Sequence, residues 1–472
     1  MIQTLEYQSS GRRLGHNNES SLPVAAGKMV WINFCRLVQL SVSLAVMLGF
    51  GTATAQDPVD ASPGNPAIQS SAALRVVRGK HVVLTSDSGT QESLNELVIA
   101  FDAAVVQWER FFDLPPGKLD DWSIDAYLMT DRQRFHDAGL LPDDLEFIFG
   151  YAVGRKVWLM RQPSDYYTRH LLLHEGVHAL AVFLYGGTGP SWFAEGTAEM
   201  LSVHRGLGSD VIVNTVPLSR ESVPYWGRFK LMTQRRIEHR LPALETVLDY
   251  PRDLKGDAES YAWSWAAMML LTEYPSYRPT MMQAAAGGSD RSPTFSMALR
   301  HQLDPQWPII EARWRMLVNT LDYGFDWSRE RIELSMKDRL WNGQPIRAEI
   351  QSDRGWQSLG GRFAKGMRVK ISASGQCTLD NRTDSGPTKP WVSQPPGVTI
   401  HYAGDRPLGQ LILCVLPNVS DERQVLRPLQ IEAVDADIEI TFDQHSWLLF
   451  RINDELNGMD NNQGHYTVTV TR

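Results

Sequence analysis

Residues 169–187 read RHLLLHEGVHALAVFLYGG, which sets two histidines and a glutamate inside an otherwise apolar run. Ionisable groups in such surroundings are costly unless something pairs with them. On a helix, residues four apart share a face with Cβ atoms roughly 5–6 Å apart, so His174 and His178 can both reach one cation. Glu175 is turned about 100° around the axis, which places it beside such a cation and not on top of it. A carboxylate there can take a proton from water. The His-Glu-x-x-His pattern suits zinc for this reason, with the glutamate as general base.

Two imidazoles leave a catalytic zinc one protein ligand short, because such sites use three and keep the fourth place open. Gly186, Gly187 and Gly189 end the first helix, and Pro190 suits the start of a second, PSWFAEGTAEMLSVH. The short connection folds this helix back antiparallel beside the histidines. Glu195 is the expected third ligand. Glu199, one turn along, is expected to hydrogen-bond a ligating histidine and fix its tautomer. Hydrolysis also needs a donor for the developing oxyanion. Tyr261, in ESYAWSWAAMMLLTEYP, shares a face with Trp265 and is the expected donor; core packing is its alternative role. His204 and Tyr167 are further candidates for that donor, with structural roles as their alternative, and His170 is read as packing or bordering the cleft.

These side chains need a scaffold. The pattern predicts strands at 81–87 and 122–130, a long amphipathic helix over 92–112, and a short helix through Phe135. A strand or hairpin arm follows at 151–160, then helices at 166–185, 190–205, 260–273 and 306–321. After about residue 335 turn dipeptides multiply, and short runs such as MRVKISA, GVTIHY, IEITF, WLLFRI and HYTVTV suggest an all-β sandwich. The expected fold class is α+β: a catalytic domain over 76–330, then a jelly-roll-like β-sandwich accessory domain over 335–472.

Upstream, Lys28 and Arg36 precede an apolar run from Leu37 to Phe50, and Ala53 to Ala55 offers small residues for cleavage. This is the layout of a signal peptide at 29–55. Its core is short for a membrane span, although a retained anchor is the alternative. Residues 1–28 form a polar extension, with Met29 as an alternative start, and 56–75 read as a disordered linker. Export to the periplasm, cell surface or medium is expected, with no stable membrane span after cleavage. Cys377 and Cys414 would then form either one disulfide or two free thiols. A net charge of −8 and the lack of any Lys/Arg block point away from nucleic acid.

HEGVH followed by WFAEGTAE resembles the gluzincin metallopeptidases, the clan of thermolysin and the M1 aminopeptidases. The resemblance implies zinc on His174, His178 and Glu195, Glu199 as their support, Glu175 as base, and a peptide or protein substrate. The Gly-x-Met-x-Asn motif that reads a substrate amino terminus is absent upstream, which favours an endopeptidase. In this fold class the strand GYAVGRKVWLM would run along the cleft and pair with an extended peptide.

A second resemblance lies in WLLFRINDELNGMDNNQGHYTVTV and GMRVKISASGQ, which are similar to the calcium-dependent galactose-binding bacterial lectins. It implies calcium on Asp454, Asn461 and Asn462, and a glycan as a further partner. The sugar-contacting loop is not recognisable in PPGVTIHYAGDRPLG, and turn chemistry is the alternative for these residues. The leading expectation is an exported zinc metallopeptidase. Two others stand beside it: a surface glycan-binding protein with a structural metal, and a zinc hydrolase of a non-peptide amide.

Overall fold

The computed structural model describes residues 73–254, 256–379, 391–418 and 425–472. The segments expected to be a polar extension and a signal peptide, and nearly all of the expected linker, lie outside them. The first strand begins at Arg75, the last residue of the stretch read as linker.

Five strands open the chain: β1 (Arg75–Arg78), β2 (Val82–Ser86), β3 (Ile124–Met129), β4 (Gly150–Val153) and β5 (Lys156–Met160). They form one sheet in the order β1-β2-β3-β5-β4. The central three are parallel, and β1 and β4 are antiparallel edges. The crossover from β2 to β3 is α1 (Gln91–Phe111), which starts on a Thr90–Ser93 capping box and buries Leu94, Leu97, Phe101, Ala104 and Trp108. A short α2 (Arg132–Asp137) lies between β3 and β4.

The segment carrying His174, Glu175 and His178 forms α3 (Asp165–Tyr185), capped by Ser164 and ended by Gly186 at φ 73°. It is apolar on nearly every side, as a helix enclosed by others must be. Next comes α4 (Ser191–Ser202), which stops three residues before the end that the sequence pattern suggests. His204 lies instead in the small ribbon of β6 (His204–Arg205) and β7 (Ile212–Val213). The remaining helices are α5 (Arg228–Ile237), α6 (Leu244–Leu248), α7 (Ala258–Glu273), α8 (Arg278–Ala285), α9 (Pro293–Leu303), α10 (Trp307–Thr320) and α11 (Trp327–Glu330). Gly196 lets α4 press against α7: a Cβ there would fall 2.4 Å from the Ser264 carbonyl oxygen. Among the described residues no helix is long and apolar enough to cross a membrane.

Two further sheets pack face to face. One contains β8 (Arg339–Leu340), β10 (Gln357–Phe363), β15 (Leu411–Pro417), β16 (Gln430–Ala433) and β18 (Ser446–Ile452). The other contains β9 (Ile346–Gln351), β11 (Arg368–Leu379), β12 (Trp391–Ser393), β17 (Asp437–Thr441) and β19 (Gln463–Thr471). A separate hairpin joins β13 (Val398–Ala403) to β14 (Arg406–Leu408). Leu411, Leu413, Phe450, Ile452, Tyr466 and Val468 belong to the core between the sheets. The strands LILCVLP and SWLLFRI are apolar without alternation because their other face is covered too. There Ile412, Cys414, Leu416, Trp447 and Leu449 meet Ile309, Ala312 and Met316 of α10. The whole is α+β. Cys377 and Cys414 are both buried free thiols that join different apolar clusters, so of the two cysteine alternatives the unpaired one holds.

Where α10 meets α6, burial and the neighbouring Glu245 push the Glu311 carboxyl up to about 8. A folded value above the ordinary 4.5 means that stability is fully present below about 4.5 and falls as pH rises through about 8. Glu311→Gln is therefore expected to raise the Tm at pH 8.5 by about 3 °C and to leave it unchanged at pH 4.5, as read by differential scanning fluorimetry.

Candidate metal centre

The α3 helix is anchored before it reaches the site. Arg169 makes two bonds to Glu96 of α1, at 2.9 and 3.0 Å. One turn on, His174 Nε2 lies 3.1 Å from Glu195 Oε2, and His178 Nε2 lies 3.5 Å from the same oxygen. Donor atoms of His174, His178 and Glu195 all fall within 4.8 Å of one another. This group could hold a metal ion. Its side chains are 7%, 15% and 21% exposed, so the cluster is sunk in the protein yet open towards His178 and Glu195.

Its electrostatics fit a cation. Burial opposes a charge on His174, but hydrogen bonds to Glu195 and Glu199 outweigh it and lift the imidazole to about 10. Glu195 is held well below the usual carboxylate range: burial alone would raise it, and His178 and His174 overcome that. A cation held by these three groups would compete with protons for the same imidazole nitrogens and carboxylate oxygen.

Glu175 is buried, and burial raises its carboxyl above the ordinary value. It faces Gly150, the first residue of the edge strand β4. A Cβ at that position would fall 2.6 Å from Glu175 Oε1, so only glycine leaves the carboxylate its place.

Glu199 is fully buried, with Oε2 3.5 Å from both His174 Nδ1 and His170 Nε2. The structure brings it beside these two histidines, and its shortest bonds go to residues outside the motif. Trp226 Nε1 donates to Oε1 at 2.6 Å, and Arg228 Nε donates to the same oxygen at 2.9 Å. No spacing rule links Trp226 and Arg228 to the motif; only the fold brings them there. His170, His174 and Glu199 form a second group with ligand-like spacing. The Arg228 guanidinium already supplies the positive charge that this carboxylate needs.

Tyr261 reaches the site. Its ring lies 6.2 Å from that of His174, with the Arg228 guanidinium 5.6 Å from its centroid. Burial raises its hydroxyl, which therefore stays protonated. Trp265 turns instead into the core against Trp226 and Phe229. Tyr167 stacks on His170 at 5.3 Å. His204 is a structural residue: Nδ1 bonds the Ser202 carbonyl, Nε2 meets Arg169, and burial holds it down at about 3.

At the other end of the chain, Asn462 Nδ2 donates to Asp454 Oδ2 at 2.7 Å and to the Ser352 carbonyl at 3.1 Å. Burial raises the Asp454 carboxyl. Among the described residues the Asn461 amide and Asn462 Oδ1 are buried with no partner. Buried polar atoms are rarely left so.

No family model and no curated protein matches the chain. Among solved structures, one described as "EclA N-terminal domain; PllA-like lectin" is similar over 27% of this chain and 95% of its own, at 14% identity and a TM-score of 0.20. A likeness this slight assigns neither fold nor function.

Proposed function

We propose that this chain is a zinc-dependent hydrolase of peptide bonds, acting within chains. The observation that carries the reading is the convergence of His174, His178 and Glu195 with Glu175 at their side. Two imidazoles and a carboxylate are a donor set suited to catalytic zinc. When bound, zinc supplies a Lewis acid that polarises the scissile carbonyl. Glu175 accepts the proton of the attacking water and passes it to the leaving amine, a task its raised carboxyl favours. Tyr261, kept protonated by burial, donates to the oxyanion. Glu199, gripped by Trp226 and Arg228, keeps His174 in orientation. Export is proposed with the same reading, on the leader at 29–55.

The substrate's path follows from β4. The Phe149 carbonyl accepts from Met160 N–H at 2.7 Å, so Phe149 bonds inward to β5. By the alternation of an antiparallel ladder, Gly150 and Ala152 present their backbone groups outward. A peptide added to this edge passes directly by Glu175. Ala152→Pro, which removes one outward N–H, is expected to raise KM for peptides about tenfold with a smaller change in kcat, measured by steady-state kinetics.

We further assign calcium to the loop carrying Asp454, Asn461 and Asn462, whose orphaned oxygens are hard donors of the type calcium takes. The glycan that the lectin resemblance implies finds no recognisable sugar loop here, and peptide is the partner proposed.

The decisive experiment incubates the purified protein with a diverse peptide mixture and reads the cleavage sites by mass spectrometry. Internal cleavage that a chelator abolishes and added zinc restores supports the proposal. Stoichiometric zinc with every peptide left intact overturns it.

A further inference from the structure

We propose that the loop carrying Asp454, Asn461 and Asn462 is a clamp: a divalent cation bound there stiffens the helical segment that leads to the Glu199 support of the metal centre. The proposal rests on the calcium reading above and extends it to residues that touch no cation.

The loop joins β18 to β19 and lies against the helices. Leu456 packs on the helical core. Gly324, at φ 81°, comes so close that a Cβ on it would fall 2.8 Å from Asn457 Cβ. Arg451, at the end of β18, pairs with Glu330 of α11 at 2.9 and 3.1 Å, both groups buried. The same guanidinium reaches the Asp454 carbonyl oxygen at 3.4 Å. Residues 322–330 are thus met at two places, Gly324 by Asn457 and Glu330 by Arg451.

From this segment the contacts continue inward. Gly324 N–H donates to the Pro217 carbonyl at 2.8 Å. Tyr323 sits edge-on to Phe229 at 4.6 Å, and Phe229 edge-on to Trp226 at 5.3 Å. Trp226 is the residue whose indole donates to Glu199. Among the described residues Asn461 Oδ1 and Asn462 Oδ1 are buried without a partner, and a cation that takes these oxygens would stabilise whatever the closed loop packs on. Contiguity alone does not establish coupling. Hydrogen exchange measures it directly.

The test compares the zinc-loaded full chain with and without calcium chloride by hydrogen-exchange mass spectrometry. Peptides covering 454–462, 322–330 and 223–229 are expected to exchange about tenfold more slowly with calcium. In Leu456→Ala, which keeps the cation's oxygens but loosens the contact with the helices, calcium should still protect 454–462 while most of the gain at 322–330 and 223–229 disappears. Protection confined to 454–462 in the unaltered chain overturns the clamp and leaves the calcium reading standing. No protection anywhere, with no heat of calcium binding in calorimetry, removes both.

Discussion

Replacing Glu175 by glutamine should reduce kcat for peptide cleavage by at least about a thousandfold, the upper part of the range for a lost general base. The amide matches the carboxylate in shape, so it still fits beside Gly150, where no larger backbone substituent is tolerated. It cannot accept a proton. Glu175 is not among the three converging donors, so the variant should bind zinc with unchanged stoichiometry by elemental analysis and unchanged affinity in competition with a chromophoric chelator. This pairing of lost turnover with retained metal separates a base from a ligand. Activity within tenfold of the parent would show that another group moves the proton.

The second large effect belongs to Glu195. Glu195→Ala removes the oxygen that lies 3.1 Å from His174 Nε2 and 3.5 Å from His178 Nε2, and with it the only carboxylate in that donor set. Zinc affinity should fall by well over a hundredfold, more than the loss of a supporting residue usually causes. Glu199→Gln provides the internal comparison, with an expected loss of about ten- to a hundredfold. Thermal unfolding gives an independent readout. A ligand present at about a thousand times its Kd stabilises the fold by about 4 kcal/mol, so zinc should raise the Tm of the parent and leave that of Glu195→Ala unmoved. If zinc binding survives Glu195→Ala and fails in Glu199→Gln, the ion sits one layer deeper, among His170, His174 and Glu199.

What could be read in advance follows a physical divide. His174, His178, Glu195 and Glu199 obey helical periodicity across one short turn, so their meeting depends on local geometry that a single sequence displays. The edge position of β4 is implied by the fold-class resemblance, whereas the continuous burial of β15 and β18 comes from α10 covering their second face. Trp226 and Arg228 are different. They reach Glu199 from 27 and 29 residues away, through a ribbon and an irregular segment, and nothing in VPYWGRFK marks them as partners of a carboxylate. Tyr261 stood between a donor and a core residue on sequence alone; its ring beside His174 comes from the packing of α7 on α4 around Gly196. The ribbon at His204 has no signature in the sequence, because two-residue strands carry no periodicity.

The apolar row that α10 shares with β15 and β18 bears on how the chain can be dissected. A fragment ending near residue 335 would present Ile309, Ala312 and Met316 to water with nothing to cover them. A fragment beginning there would bare Ile412, Leu416, Trp447 and Leu449 in the same way. Each half would carry a sticky scar that invites self-association, and neither would serve as a faithful stand-in for the intact molecule at the bench.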